Sequence, residues 1–213
     1  MRTRIVSVFM VLAVISLVLG LGGCDRKVAE VVAADKALDK AIDSGDGQTV
    51  VSMISQDSLA RMDRLLDFAR TAKKSEVKAL PVADRMEVLQ VRQELKSDVR
   101  KPMDARTYYA RLVTNRRTES TSGAKRGKIT FNAAKTEAKM LLTSPDGSDY
   151  MYGYWVYEGG GWKEDFVARV RDDAGRIQAA ARELSMTEDE FLIFRLEESS
   201  EEAVPPSIWD APR

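Results

Sequence analysis

The chain has 213 residues, 33 of them basic and 33 acidic, with no histidine and a single cysteine. The first 23 residues hold two of the basic side chains and none of the acidic ones, so the remainder is acidic by two, which argues against a nucleic-acid binder with its expected basic excess. The absence of histidine removes the commonest general base and the commonest transition-metal ligand, and neither a cofactor nor a metal is expected.

Arg2 and Arg4 precede an uncharged, mostly apolar run from Ile5 to Gly23. A basic start, an apolar middle and small residues before a cut site describe a secretory signal peptide. The run ends in Leu21-Gly22-Gly23-Cys24, which resembles the lipobox of bacterial lipoproteins. That resemblance implies that residues 1–23 are removed and that Cys24 becomes the acylated N-terminus. Two or more acyl chains anchor a protein stably where one is marginal. An acylated Cys24 also leaves no free thiol for a disulfide, a nucleophile or cysteine-bound zinc. On length alone the run also approaches the roughly 20 residues that span a bilayer, so an uncleaved transmembrane anchor is the competing reading. Asp25 resembles the enterobacterial signal for retention in the inner membrane. The expected location is therefore the bacterial cell envelope, lipid-anchored and facing the periplasm or exterior, with the inner membrane favoured by Asp25.

The mature chain opens as a helix from Asp25 to about Ser44, with Val28, Val31, Leu38 and Ile42 on one stripe. The turn Ser44-Gly45-Asp46-Gly47 stops it. A short helical stretch, Gln48 to Ile54, follows. Ser55 or Asp57 then caps a longer helix with a core face of Leu59, Met62, Leu66 and Ala69, which frays into the polar stretch from Ala72 to Lys78. Pro81 suits the first turn of a new helix with Met86, Leu89 and Leu95 as its apolar side, and Lys101-Pro102 ends it. Asp104 is placed to cap a short helix carrying Tyr108 and Leu112.

The period then changes. Thr114 to Lys128 is a polar loop with Arg116, Arg117, Lys125, Arg126 and Lys128. It reads as a solvated loop or as a contact to an acidic ligand or to anionic lipid headgroups, where each basic residue adds about 1 kcal/mol. Ile129 and Phe131 alternate with polar residues, as do Ala138, Met140 and Leu142. Ser144-Pro145-Asp146-Gly147 is a turn. The aromatic strand Asp149 to Tyr157 comes next, then the hairpin Glu158 to Gly161 and a returning strand from Trp162 to Phe166. Further on, Ile177, Ala180, Ala181 and Leu184 form a helical stripe. Ser185-Met-Thr-Glu188 has the pattern of a capping box opening a helix with Phe191, Ile193, Phe194 and Leu196. An acidic stretch and the segment Val204 to Pro212 follow, the latter excluded from regular helix or a central strand by its prolines. Its Trp209 either docks into a partner groove as a short motif or folds back on its own domain.

Helices first and an antiparallel meander afterwards predict an α+β fold. N-terminal helices pack on a curved antiparallel sheet of three to four strands, followed by a C-terminal helical extension. The divisions are residues 1–23 for the signal peptide, 24–170 for the domain and 171–213 for the extension and its tail. The Ser-Gly-Asp turn running into Val50, Val51, Met53 and Ile54, the helices before the strands, and the ending Tyr154-Trp-Val-Tyr-Glu-Gly-Gly-Gly-Trp-Lys-Glu-Asp together resemble the nuclear-transport-factor-two-like superfamily. The stretch from Ala72 to Leu112 holds more helix than that family usually has. The resemblance implies a cone with a pocket between sheet and helices; no catalytic residue carries over.

Strand alternation puts Trp162, Glu164 and Phe166 on one face and Lys163, Asp165 and Val167 on the other. Glu164 either enters the cone, where an apolar setting raises a carboxylate's pKa, or sits at its mouth, hydrated or paired with an arginine. Tyr150, Tyr152 and Tyr154 share a face opposite Met151, Trp155 and Tyr157; the tyrosine face is either an exposed binding patch or is covered by the C-terminal helices. The candidate pocket residues are thus Trp162, Glu164, Tyr150, Tyr152 and Tyr154. The functional expectation is a non-catalytic envelope lipoprotein that binds a protein, a peptide or a small apolar ligand near the membrane, or that serves as an assembly spacer. The alternative is a cone-pocket enzyme doing acid–base chemistry with Glu164 or Asp165 and a tyrosine. A cavity of a few hundred cubic ångströms lined by such a pair favours the enzyme, and a cone filled by Met, Leu and Phe favours the binder.

Overall fold

The computed structural model describes residues 26–115, 121–200 and 203–212. The signal segment, Cys24, Asp25, Arg116 and Arg117 lie outside the described residues. Helix α1 covers residues 26–44 and ends at Gly45, whose φ of +73° suits glycine. Next come α2 (Gly47–Ser52), α3 (Gln56–Thr71), α4 (Lys74–Lys78) and α5 (Val82–Leu95). A 3-10 turn (Lys96–Arg100) and α6 (Ala105–Thr114) complete the N-terminal helices. Side chains expected as caps act as caps: Ser55 accepts from the Ser58 amide, and Asp104 accepts from the Thr107 amide. The stretch expected to fray after α3 instead forms α4, because Glu76 reaches back to the Lys73 amide at 2.7 Å and caps its first turn.

Four strands follow: β1 (Lys125–Phe131), β2 (Glu137–Thr143), β3 (Tyr150–Glu158) and β4 (Gly161–Glu164). They form one curved antiparallel sheet in the order β1-β2-β3-β4. Gly159 and Gly160, with φ of +59° and +85°, make the two-residue turn between β3 and β4 that only such residues allow without strain. The chain then turns helical sooner than expected. Asp165 does not continue β4 but caps helix α7 (Phe166–Glu183), accepting from the amides of Val167 and Ala168. Helix α7 runs through residue 170 without a break and is followed by α8 (Glu188–Ser200). Its capping box lies two residues later than the sequence pattern suggested: Thr187 and Glu190 exchange bonds, with the Glu190 carboxylate accepting from the Thr187 amide and the Thr187 hydroxyl accepting from the Glu190 amide. Ser185 takes a φ of +56° in the preceding turn instead.

The inner face of the sheet carries Met140, Leu142 and Trp155, each 4% exposed or less, against α1, α2, α6 and α7. Helix α8 packs on α5 and α7 rather than on the sheet. The tail ends in a 3-10 turn (Pro206–Trp209) beside α5, with Ile208 and Trp209 buried. Among the described residues no helix is long and apolar enough to cross a membrane.

Candidate functional site

Between the inner face of the sheet and the helices lies a cavity of about 390 Å³. Helical spacing on two elements aims side chains at it. Asp35, Leu38, Asp39 and Ile42 of α1 recur at intervals of three and four residues, and so do Phe166, Arg169, Val170 and Asp173 of α7. Helix α6 adds Tyr109, Leu112 and Val113, α5 adds Glu87, and the sheet adds Leu142, Gly153, Trp155 and Glu164. The walls are therefore apolar with five carboxylates set among them.

Each carboxylate has a different degree of compensation. Arg126 holds two of them, with Nε 2.5 Å from Asp35 Oδ2 and Nη2 on Asp39. Its aim comes from the sheet. Arg126 pairs with Leu142 and Ile129 with Met140, so β1 has one extra residue between them. Without that bulge the two would face opposite ways; with it both face inward. Thr121 completes the shell of Asp39 by donating its amide at 2.7 Å and its hydroxyl at 2.9 Å. Burial raises the Asp35 pKa, and the Arg126 charge opposes that rise. Arg126 is thus committed inside the domain and is not available to lipid headgroups as the basic-cluster reading required.

Glu164 is 9% exposed. Its backbone is fixed from outside the sheet, where its amide donates to Met53 O at 2.8 Å and its carbonyl accepts from Ser55 N at 3.0 Å. Its carboxylate accepts from Arg169 Nη2. Burial is again the leading cause of its raised pKa, with Arg169 opposing and Asp35 and Asp39 adding to the rise. Glu87 and Asp173 are also raised, first of all by desolvation. The phenol of Tyr109 is raised by burial and then by Glu87 and Glu164. Its ring stacks on Phe166 at 5.4 Å, and the Arg169 guanidinium lies 4.7 Å from the other ring of that stack, Phe166. Two buried donors at the cavity, Trp155 Nε1 and Arg169 Nε, have no hydrogen-bond partner.

Of the residues expected in the pocket, Glu164 lines it, and Tyr152 borders it from β3 with its ring on the opposite face, beside Lys139. Trp162 is buried on the same face as Glu164 but packs against Phe131 and Tyr157, away from the cavity, because its cross-strand partner is Tyr157. Tyr154 lies on the opposite face and donates its hydroxyl to Asp172 of α7, while Tyr150 is 59% exposed. The tyrosine face is partly covered by α7 and by Lys139, whose ammonium lies 3.9 Å from the Tyr152 ring; α8 takes no part in this. Asp165 is used up as a helix cap. Trp209 is 6% exposed and sits on its own domain under Lys78, 5.1 Å from the ring centre. The partner-docking reading of Trp209 gives way to the folded-back one, since its surface is already covered.

The sequence reading missed Asp35, Asp39, Glu87, Tyr109, Arg169 and Asp173. A signal was present for two of them: Asp35 and Asp39 interrupt the apolar stripe of Leu38 and Ile42, where carboxylates are costly unless paired. Comparison with protein-family models, with characterised proteins and with solved structures finds no match to this chain.

Proposed function

We propose that this protein is a lipid-anchored protein of the bacterial cell envelope, built on a nuclear-transport-factor-two-like cone, that binds a small, largely apolar ligand. The anchoring rests on the signal-like segment and the Leu21-Gly22-Gly23-Cys24 pattern. The binding reading rests on one observation, the cavity of about 390 Å³ with mostly apolar walls and a few polar groups. A second reading, acid–base catalysis, has support from Glu164 and Tyr109 beside that cavity. On that reading Tyr109 takes the role for which the sequence named no particular tyrosine. Binding is preferred because Arg169 already occupies the Glu164 carboxylate, and a general base needs its oxygen within reach of the substrate proton.

Two measurements test this reading. The intact mass of the native protein is expected to be that of a chain shortened to Cys24 and heavier by acyl groups, while Cys24→Ala keeps its signal peptide; an unmodified full-length mass overturns the anchoring. Native mass spectrometry of the protein taken from its own cells is expected to show a bound small molecule that is absent from a folded Val113→Phe variant, in which the added ring fills the cavity. Identical spectra for the two overturn the binding.

A further inference from the structure

The charges around the cavity specify the kind of ligand, on the reading that the cavity binds one. Five carboxylates line it against a single basic side chain, Arg169. Three of the five hold an arginine within hydrogen-bond distance: Asp35 and Asp39 share Arg126, and Glu164 has Arg169. The two left are Glu87 and Asp173. Arg61 stands 3.8 Å from Glu87, at the outer limit of an ion pair. Arg169 and Arg176 act on Asp173 through their charge alone. Each of the two acids also feels the other's charge or its neighbours', since Asp173 adds to the rise in Glu87.

Their position is as informative as their charge. Glu87, Val170 and Asp173 also line a second space, a groove of about 590 Å³ between α5, α7 and α8. That groove is walled by Met86, Ile177, Ala180, Leu184, Phe191 and Phe194. The two acids therefore stand where the cavity and the groove share a wall, with Arg176 and Arg195 on the groove side. Tyr109, Trp155 and Phe166 line the cavity, and the Phe166 ring already holds one cation, the Arg169 guanidinium 4.7 Å from its centre. Trp155 is 2% exposed, and its unpartnered Nε1 lies at the wall beside Gly153, where a Cβ would come within 3.2 Å of it. A ligand with a hydrogen-bond acceptor on its apolar body would satisfy that donor. The described acidic residues form no group of three or more arranged to hold a metal ion, whereas an ammonium on an apolar body would meet both the acids and the apolar walls.

We infer that the cavity selects an amine-bearing amphiphile, an alkylammonium or arylalkylammonium ion, whose charge sits between Glu87 and Asp173 while its apolar body fills the cone. The test uses three molecules of one shape: 4-phenylbutylamine, 4-phenylbutanol and 4-phenylbutyrate. Each is titrated calorimetrically into the full-length chain in a non-ionic detergent, with the heat of addition to detergent alone subtracted. The amine is expected to bind at least tenfold more tightly than the other two. A combined Glu87→Gln, Asp173→Asn variant is expected to lose that advantage while still binding the alcohol, which shows that it remains folded. Equal binding of amine and alcohol, or a preference for the carboxylate, overturns the cation while leaving a binding cavity. An amine preference that survives the double variant overturns the placement at Glu87 and Asp173. Binding of none of the three overturns the binding reading itself.

Discussion

Two arginines, one buried and one half-buried, mark two regions of this molecule that handle charge in opposite ways. Arg92 of α5, 4% exposed, donates to the carbonyls of Ala69 at 2.8 Å, Ala72 at 2.7 Å and Ile208 at 3.0 Å. Its partners are partial charges at the C-terminal end of α3 and in the tail, so the joint is saturated by dipoles and the site is closed. Burial lowers the Arg92 pKa, with Asp210 opposing. Arg126 of β1 instead meets two full carboxylates, Asp35 and Asp39, beside an open cavity. One arginine seals packing through dipoles; the other holds charged groups at the edge of a space that a ligand can enter. A buried charge thus reads as structural or as ligand-directed according to whether its partners are dipoles or charges and whether there is room beside them.

The largest effect is expected on the Arg126 side. Arg126→Ala leaves two buried carboxylates without their cation and should cost about 3–5 kcal/mol in urea unfolding. Adding Asp35→Asn and Asp39→Asn to that variant should restore part of the loss; no recovery would mean that Arg126 acts through packing alone. Arg92→Met should cost less, about 1–3 kcal/mol for buried carbonyls left without a donor. The tail should loosen with it, seen as a red shift in the emission of Trp209. An unshifted emission would show that Val204 and Ile208 hold the tail by themselves.

Gly47→Ala probes the packing above the cavity. A Cβ there would lie 2.6 Å from the Ala110 carbonyl oxygen and 2.7 Å from its Cα, so α2 and α6 must separate. The expected cost is about 1–3 kcal/mol, read from thermal unfolding. The smallest effect concerns pH. The Glu164 pKa lies above its ordinary value, so the folded chain holds that proton more tightly than the unfolded one. This contribution is present in full below the ordinary carboxylate value and is lost as the pH climbs through the folded pKa. Glu164→Gln removes it, so its stability relative to the native chain should rise across that same interval. A difference that stays flat with pH would place the Glu164 proton affinity at its unfolded value.

The order of helices and strands was legible because the signals are local. Ser55 and Asp104 cap where a cap was expected, and paired glycines turn β3 into β4. Glu164 was legible too, since alternation from buried Trp162 puts it on the inner face. The rest of the site was not, because its residues come from α1, α5, α6 and α7 and meet only in three dimensions. The bulge that turns Arg126 inward follows from a register between β1 and β2 that neither strand reveals alone. Phe166 reached the expected cavity by an unexpected route, as the first residue of a helix and not the end of a strand. Asp165 was misplaced for the same reason: a cap at a strand's end looks like one more alternating position.

The bond from Arg92 to Ile208 spans 116 residues, and this sets an order of events in time. Helices α3 and α5 exist as sequence long before residue 208 has been made. A chain growing from its N-terminus therefore carries an unfilled seat through the synthesis of the sheet, α7 and α8. Until the last turn arrives, Arg92 lacks one acceptor and the place under Lys78 that Trp209 fills stays open. Lengthening a loop this far adds little entropy to its closure, so the delay comes from the order in which residues become available. The joint at Arg92 is complete only once residue 208 is present.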